Sequence, residues 1–198
     1  ILLPVAALVS MTVGTVDISL SEALSALTGS SVNTQTHTIL FDIRLPRILL
    51  AIAVGAVLAS TGAVMQGLFR NPLADPSLIG VSSGSSVGAS LMIVTAGGFI
   101  QSGALVGLSL VAVGAFIGGF AATLLVYRLA TSGIGTSVTT MLLAGIAIAA
   151  LAGALNSLLS YFSDNDMLRQ ISLWQMGNLS GASWTKVIIM GAVAVLLM

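Results

Sequence analysis

Residues 44–80 read RLPRILLAIAVGAVLASTGAVMQGLFRNPLADPSLIG, and this stretch decides the fold class. Its middle part, Ile48–Phe69, contains no charged residue and lies between Arg47 and Arg70. With a rise of about 1.5 Å per residue, a helix of this length crosses the roughly 30 Å hydrocarbon core of a bilayer. A basic Arg-Leu-Pro-Arg segment precedes the run and a compact proline-containing loop follows it. One transmembrane helix is therefore predicted together with its entry and its exit.

The composition extends this prediction to the whole chain. Hydrophobic residues make up 57% of the sequence and charged residues 6%, whereas soluble domains carry about 25% charged residues. We therefore predict an all-α fold, a polytopic transmembrane helix bundle. The net charge of +0 provides no electrostatic attraction for nucleic acid, and the absence of cysteine excludes disulfides and thiolate metal sites.

The apolar runs predict about six membrane helices in residues 1–198. Because the first and last runs are cut short, we expect these residues to be a single transmembrane domain, truncated at both ends. The predicted helices are Ile1–Val13, Ile48–Phe69, Ser85–Ala96, Ala104–Leu129, Thr139–Leu159 and a last helix from about Trp184.

Two polar segments interrupt this pattern. Asp17–Asp42 is predicted to be a surface loop containing a short helix, Ser21–Leu27, capped by Ser19 or Ser21. The single histidine, His37, lies in this loop without a second metal-ligating side chain nearby, so it is expected to be solvated. Asp166–Trp174 is predicted to be a short helix at the membrane surface, with Trp174 and Trp184 in the interfacial aromatic belt.

Small residues predict close helix packing. The second helix carries a stripe of Gly and Ala residues, and the chain contains three Gly-x-x-x-Gly pairs that allow membrane helices to approach closely. The stripe consists of Gly55, Ala59, Gly62 and Ala63, and the pairs are Gly84/Gly88, Gly103/Gly107 and Gly114/Gly118.

The chemistry available to the chain favours transport over catalysis. No nucleotide-binding motif and no Ser/His/Asp or Cys/His set is present, so no catalytic site and no cofactor are predicted. Charged residues are absent from the apolar runs, which disfavours a proton-coupled carrier or ion pump. The neutral polar residues that remain suit a passage for a bulky neutral or amphipathic solute, with energy supplied elsewhere.

Several motifs together resemble the FecCD-type permeases, the membrane subunits of bacterial ABC importers for vitamin B12, haem and iron siderophores. The motifs are Arg44-Leu-Pro-Arg47, Gly55-Ala56-x-Leu58-Ala59-x-x-Gly62-x-x-x-Gln66, Arg70-Asn71-Pro72-Leu73-Ala74-x-Pro76, Leu78-x-Gly80-Val81, Leu142-Leu143-Ala144-Gly145 and Trp174-x-Met176-Gly177. The resemblance covers essentially the whole chain. Residues 174–179 look most like the haem-type members.

The resemblance implies a permease domain in the bacterial inner membrane, belonging to a subunit of roughly ten helices. It further implies a second permease copy, a cytoplasmic ABC ATPase that supplies the energy, and a periplasmic binding protein that delivers the substrate. The alternative function is a secondary transporter or channel for a bulky neutral solute. A membrane enzyme or a structural scaffold is disfavoured because no reactive constellation is present.

Site residues follow from the same resemblance. Arg44 and Arg47 are predicted to receive carboxylates of the binding protein, and interfacial anchoring is their alternative role. The Arg70–Pro76 segment is predicted to be a rigid turn. Thr139 and Thr140 either line the passage or cap the fifth helix, and the polar residues near its other end either line the passage or bond between helices. The candidate path residues are Met65, Gln66, Thr139, Thr140, Asn156, Ser157 and Ser160.

Charge and resemblance predict opposite orientations. Arg44, Arg47, Arg169 and Lys186 lie on one side of the predicted bundle and Arg70 and Arg128 on the other, so the positive-inside rule places the first side in the cytoplasm. The resemblance implies that this side is periplasmic, and we adopt that orientation.

Overall fold

The structure is a computed structural model that describes residues 2–28, 33–96, 105–133 and 135–197. Most of these residues are helical, which confirms the all-α class. The chain forms two compact units, residues 1–61 with 179–198 and residues 62–178, and the division falls inside the longest apolar helix. The segment between the predicted helices Ser85–Ala96 and Ala104–Leu129 lies outside the described residues.

The first unit contains helices from both ends of the chain. They are α1 (Leu2–Thr12), α2 (Leu20–Leu27), α3 (Thr34–Thr38), a π-helix (Ile39–Arg44), the first part of α4 (Leu45–Phe69) and α9 (Trp184–Leu197). Its core consists of Met11, Ile18, Ala23, Ala26 and Leu40.

Helix α2 confirms the predicted cap. The hydroxyl of Ser19 accepts from the amide of Glu22 at 3.2 Å, and the Glu22 carboxylate accepts from the amide of Ser19 at 2.9 Å. This reciprocal capping box satisfies two backbone donors that a helix start would otherwise leave free. The hydrogen bonds from the side chain and the backbone of Ser19 lower the pKa of Glu22.

The prediction of a surface loop over Asp17–Asp42 is wrong in its last part, which is helical from Thr34. The chain is continuously helical from Thr34 to Phe69, so helical structure begins well before Ile48 and Pro46 lies inside it. The amide of Leu45 bonds to the carbonyl of Leu40, an i→i−5 pattern that widens the helix just ahead of the proline. A π-turn of this kind accommodates a proline ring that would disrupt a regular α-helix.

His37 lies in a helix and not in the predicted loop. The residue is exposed on α3 and its ring stacks on Phe41 with the centroids 4.6 Å apart. The indole nitrogen of Trp184 donates to the carbonyl of Phe41 at 3.1 Å. His37 is therefore part of an ordered helix and not of a loop, because the turns that precede Pro46 continue back through it.

The second unit contains the remaining elements. They are the last part of α4, a 3₁₀-helix (Pro76–Ile79), α5 (Val81–Thr95), α6 (Leu105–Ala130), the strands β1 (Thr131–Ser132) and β2 (Gly135–Thr136), α7 (Val138–Tyr161) and α8 (Asn165–Met176). The strands pair antiparallel, with Thr131 opposite Thr136. One core groups Ala89, Ile93, Val111 and Ile171, and another groups Val126, Ala130 and Met141.

Two of the Gly-x-x-x-Gly pairs pack against each other. A Cβ on Gly84, Gly88 or Gly118 would collide with the backbone of the facing helix, so α5 and α6 lie in backbone contact. Gly145 of α7 is equally close to the carbonyl of Leu78. These contacts confirm the prediction of tightly packed helices, since only glycine leaves room for such an approach.

The stripe on the second helix is not packed in this way. A Cβ on Gly55 or Gly62 would meet nothing within 4 Å, so both glycines of this stripe face open space within the described residues. Helix α5 also starts at Val81, earlier than the predicted Ser85. Gly80, with φ of 78°, ends the 3₁₀-helix and lets the chain turn directly into α5.

Among the described residues, three helical stretches are long and apolar enough to cross a membrane by length and composition. They are Thr34–Phe69, Leu110–Ala130 and Val138–Tyr161. Helices α1, α5 and α9 are shorter apolar helices. This chain is therefore a multi-pass membrane protein.

Candidate functional sites

Arg44 and Arg47 have different surroundings. Arg44 is 8% exposed, and its guanidinium donates to the carbonyls of Met11 and Val16. Gly14 permits this approach, because a Cβ there would lie 2.6 Å from Nη2 of Arg44. The carbonyls at the end of a helix lack intrahelical partners and favour a cation, so Arg44 fastens the end of α1 to the π-helix. Arg47 is exposed.

Both arginines border a cleft of about 770 Å³ in the first unit. Its walls come from α1, the turn that follows it, the π-helix and the first half of α4, and most of the lining side chains are apolar. None of the candidate path residues is among its described lining residues. The cleft therefore has mostly apolar walls and carries the exposed cation Arg47 at its border.

The chain turns after α4, as predicted, and side-chain hydrogen bonds hold the turn. The side-chain amide of Gln66 donates to the carbonyl of Pro72 at 3.0 Å, and the Asn71 carboxamide accepts from the amide of Leu73 at 2.9 Å. Arg70 has a φ of 48°, a left-handed conformation that is uncommon for a residue with a side chain. The turn presents Leu73 with 85% of its surface exposed.

Asp75 completes this turn by capping the 3₁₀-helix. Its carboxylate accepts from the amide of Ser77 at 2.7 Å. The hydrogen bonds from the side chain and the backbone of Ser77 lower the pKa of Asp75, because they stabilise the charged form. The carboxylate therefore serves the turn itself.

Thr139 and Thr140 are exposed at the start of α7. The cap of this helix is Ser137, whose hydroxyl accepts from the amide of Thr140 at 3.3 Å and from its hydroxyl at 3.0 Å. The capping role considered for the two threonines is therefore wrong. The β1–β2 hairpin places Ser137 at the helix start, which the sequence pattern did not reveal.

Asn156 bonds between helices. Its amide nitrogen donates to the hydroxyl of Ser86 on α5 at 3.1 Å, and the side-chain amide of Gln175 on α8 donates to the same hydroxyl at 3.3 Å. The carboxamide oxygen of Asn156 is buried and has no hydrogen-bond partner among the described residues. A buried acceptor left unpaired costs about 1–3 kcal/mol.

The other candidate path residues lie apart from this cluster. Met65 is 7% exposed on α4. Ser157 is exposed and its hydroxyl donates to the carbonyl of Gly153 at 3.1 Å, and Ser160 is half-buried near the end of α7. The candidates all belong to the second unit, where they occupy the end of α4 and both ends of α7.

Sequence reasoning missed Ser86 and Gln175. Ser86 belongs to the Ser-rich run 82–86, and Gln175 belongs to the motif around Trp174. A polar residue inside an apolar helix was the available signal, since such residues usually bond to a neighbouring helix.

The comparisons with known proteins agree with this architecture. The sequence pattern of the FecCD transport family matches residues 2–198. A solved structure described as a metal-chelate type ABC transporter in an inward-facing conformation superposes with a TM-score of 0.78. It is 33% identical in sequence, and the match covers 98% of this chain and 56% of that one.

Curated relatives carry permease names. The hemin transport system permease protein HmuU of Yersinia pestis is 44% identical over 189 residues, which is 96% of this chain and 54% of that protein. The cobalamin import system permease protein BtuC of Halobacterium salinarum is 43% identical over 151 residues, 76% of this chain and 38% of that protein. The chain therefore spans about half the length, or less, of these relatives.

Proposed function

This chain belongs to the FecCD transport family, and we propose that it is part of a membrane-spanning permease subunit of a bacterial ABC importer. The subunit translocates haem, an iron–siderophore or cobalamin into the cytoplasm by alternating access. The observation that carries this proposal is the family match over residues 2–198. The two compact units together form one permease domain of the inner membrane.

In this proposal, ATP hydrolysis is carried out by a partner subunit. The relatives are named as permeases of import systems, and the sequence offers no nucleotide-binding motif. A separate cytoplasmic ABC ATPase hydrolyses ATP, and the permease has no catalytic site of its own. A periplasmic binding protein delivers the substrate, a second permease copy completes the passage, and membrane lipid surrounds the exposed apolar helices.

Haem is the favoured substrate. The hemin permease of Yersinia pestis is 44% identical over 96% of this chain, whereas the cobalamin permeases match 76% and 80% of it. The motif around Trp174 and Gly177 points to the same members. Cobalamin and ferric siderophores are the other substrates to be compared.

The exposed cation Arg47 is the docking residue that the structure supports best. Its guanidinium is free to meet a carboxylate of the binding protein, whereas that of Arg44 already binds two carbonyls and holds the end of α1 beside it. We therefore propose that Arg47 docks directly and that Arg44 positions it. Met65, Gln66, Thr139, Thr140, Asn156, Ser157 and Ser160 stay proposed path residues, supported by their polarity or adaptability in an apolar chain.

Uptake by the assembled importer tests the function. The gene is deleted, and uptake of haem, cobalamin and a ferric siderophore is measured in cells and then in proteoliposomes that contain the complete permease, its ATPase and the binding protein. We expect deletion to abolish haem uptake but not the uptake of cobalamin or the siderophore. In the proteoliposomes, we expect haem uptake to require ATP. Uptake driven by an ion gradient without the ATPase would instead show a secondary transporter.

A further inference from the structure

We propose that α2 is an interfacial helix that lies flat on the bilayer and inserts Leu20, Leu24 and Leu27 at the boundary between headgroups and acyl chains. These three residues are called the leucine stripe below. The partner is the lipid surface itself, on the side of the membrane where α1 ends. This inference goes beyond the proposed import function and rests only on the chain being a multi-pass membrane protein.

Helix α2 has three faces of different character. Ala23 and Ala26 form its buried face and pack in the core of the first unit. The residues of the leucine stripe are 52%, 46% and 47% exposed, and their i, i+4, i+7 spacing places them on one face. Ser21, Glu22 and Ser25 occupy the side opposite the stripe. A helix with this pattern rests its leucines on lipid, its polar face in water and its alanines against the protein.

A tryptophan places α2 at the level of the membrane–water boundary. Phe41 packs against the core that contains Ala23 and Ala26, and its carbonyl accepts from the indole nitrogen of Trp184 at 3.1 Å. Trp184 is partly exposed at the start of the apolar helix α9. Tryptophan is enriched at this boundary because its ring is apolar and its N–H is polar. Helix α2 therefore lies beside the headgroup region.

The leucine stripe continues the apolar surface of α1. Val5 and Val9 are exposed on α1, and Val13 and Val16 are exposed in the segment that leads to α2. The two helices contact each other directly. Exposed apolar side chains thus run from α1 to the stripe, as expected for one continuous lipid-facing surface.

The charges near α2 favour lipid over an acidic protein surface as the partner. Residues 1–43 contain Asp17, Glu22 and Asp42, all exposed, and no lysine or arginine. A partner that docks through carboxylates, as proposed for Arg47, would be repelled here, whereas uncharged acyl chains are not. The attachment is therefore apolar and does not require anionic lipid, unlike that of a basic amphipathic helix.

The same core links α2 to Arg44. Met11 packs with Ala23 and Ala26 in this core, and its carbonyl accepts from the Arg44 guanidinium. A leucine stripe held at the lipid boundary therefore keeps the end of α1, and with it Arg44, at a fixed depth in the membrane.

Fluorescence quenching tests the depth of the stripe, and the chain has no native cysteine to interfere. Leu24→Cys and, as the matched control on the polar face, Ser21→Cys are labelled with a nitrobenzoxadiazole dye in the complete permease in phosphatidylcholine nanodiscs. We expect lipid with a doxyl group near the headgroup end of its acyl chain to quench the label at position 24 at least about twofold more than the label at position 21. Aqueous iodide should show the reverse order. Replacing part of the lipid with phosphatidylglycerol should change neither result.

Three outcomes overturn the proposal. The first is equal quenching of the two labels by either agent. The second is a label at position 24 that is shielded from both agents, because the binding protein or another part of the subunit then covers the stripe. The third is lipid quenching that appears only with phosphatidylglycerol. Leu27→Cys repeats the measurement if Leu24→Cys does not fold. The measurement involves no transport, so its failure leaves the proposed import function untouched.

Hydrogen exchange of the α2 amides gives a measurement without a label. Glutamine and leucine have similar helix propensities, so Leu24→Gln mainly changes the polarity of the stripe. In nanodiscs, we expect Leu24→Gln to accelerate exchange at least about threefold and Ser21→Gln not to accelerate it. Unchanged exchange in Leu24→Gln would show that Leu24 faces water and would overturn the proposal.

Discussion

At the residue scale, the two arginines of the Arg-Leu-Pro-Arg segment are three positions apart and have different surroundings. Arg44 is buried and binds the carbonyls of Met11 and Val16, whereas Arg47 is exposed at the edge of the same cleft. The buried guanidinium is structural because its hydrogen bonds satisfy a helix end, and the exposed one is available to a partner.

Arg44→Ala should destabilise the first unit. Removing the guanidinium leaves two carbonyls unpaired, and a hydrogen bond to a charged group contributes about 1.5–3 kcal/mol. We expect the purified protein to unfold at a clearly lower temperature, as measured by tryptophan fluorescence in detergent. Arg47→Ala is the matched control and should leave the unfolding temperature nearly unchanged. Equal losses in both variants would contradict the structural role of Arg44.

Arg47→Glu should weaken docking of the binding protein. The reversal places like charges face to face, and close charge pairs at interfaces couple by about 1.5–7 kcal/mol. We expect affinity to fall at least about tenfold, which is roughly 1.4 kcal/mol, as measured by surface plasmon resonance with the permease in nanodiscs. Raised salt should weaken parent docking in the same direction. Unchanged affinity in a correctly folded variant would reduce Arg47 to a membrane anchor.

At the element scale, glycine pairs with the same spacing have different partners. Gly84 and Gly88 of α5 meet Gly118 and its neighbours on α6, whereas Gly62 of α4 faces open space within the described residues. The spacing of the glycines shows that another helix can approach closely. Whether a helix does so depends on which element lies beside them in the fold.

Gly88→Ala and Gly62→Ala should therefore differ. A Cβ at position 88 collides with the backbone of Gly114, and overpacking costs about 1–3 kcal/mol or more when backbone has to shift. We expect Gly88→Ala to lower the yield of monodisperse protein in size-exclusion chromatography and its unfolding temperature. Gly62→Ala should behave like the parent in both measurements. A destabilised Gly62→Ala with an unaffected Gly88→Ala would refute the α5–α6 contact.

Acid should loosen α2. Hydrogen bonds from Ser19 hold the folded-state pKa of Glu22 below its ordinary value of 4.5, so the carboxylate stabilises the cap above that pH. This contribution is lost as the pH falls through the lowered pKa, because protonation removes the accepting charge. Hydrogen exchange of the α2 amides should accelerate over this range in the parent. Glu22→Gln should lack the pH dependence, and an identical dependence in both would exclude the capping box as its cause.

At the scale of the whole molecule, orientation decides which partner meets which surface. His37 lies near the start of the helical stretch Thr34–Phe69 and Asn71 just beyond its end, and both are exposed. If this stretch spans the bilayer, as its length and composition allow, the two positions are expected on opposite sides of the membrane.

Single cysteines at these positions should report the orientation. We expect His37→Cys to react with an impermeant maleimide added to the periplasmic side and Asn71→Cys to react only after the cytoplasmic side is opened. The absence of native cysteine makes each signal specific. The reverse pattern would show that the excess of positive charge near Arg44 marks the cytoplasmic side, as the positive-inside rule states.

The sequence by itself determined the class, most of the helices, the capped α2, the turn after α4 and the family, because each of these follows from local hydrophobicity, capping chemistry or a short motif. It did not determine the continuous helix through Pro46, since a π-turn depends on hydrogen bonds that no propensity encodes. Only the tertiary structure decided which glycines pack, that Arg44 is buried, and that Ser86 joins Asn156 and Gln175. The physical reason is the same in each case: the partner lies on another element, far away in the chain. The local sequence shows which contacts a residue is able to make, but not which residue it contacts.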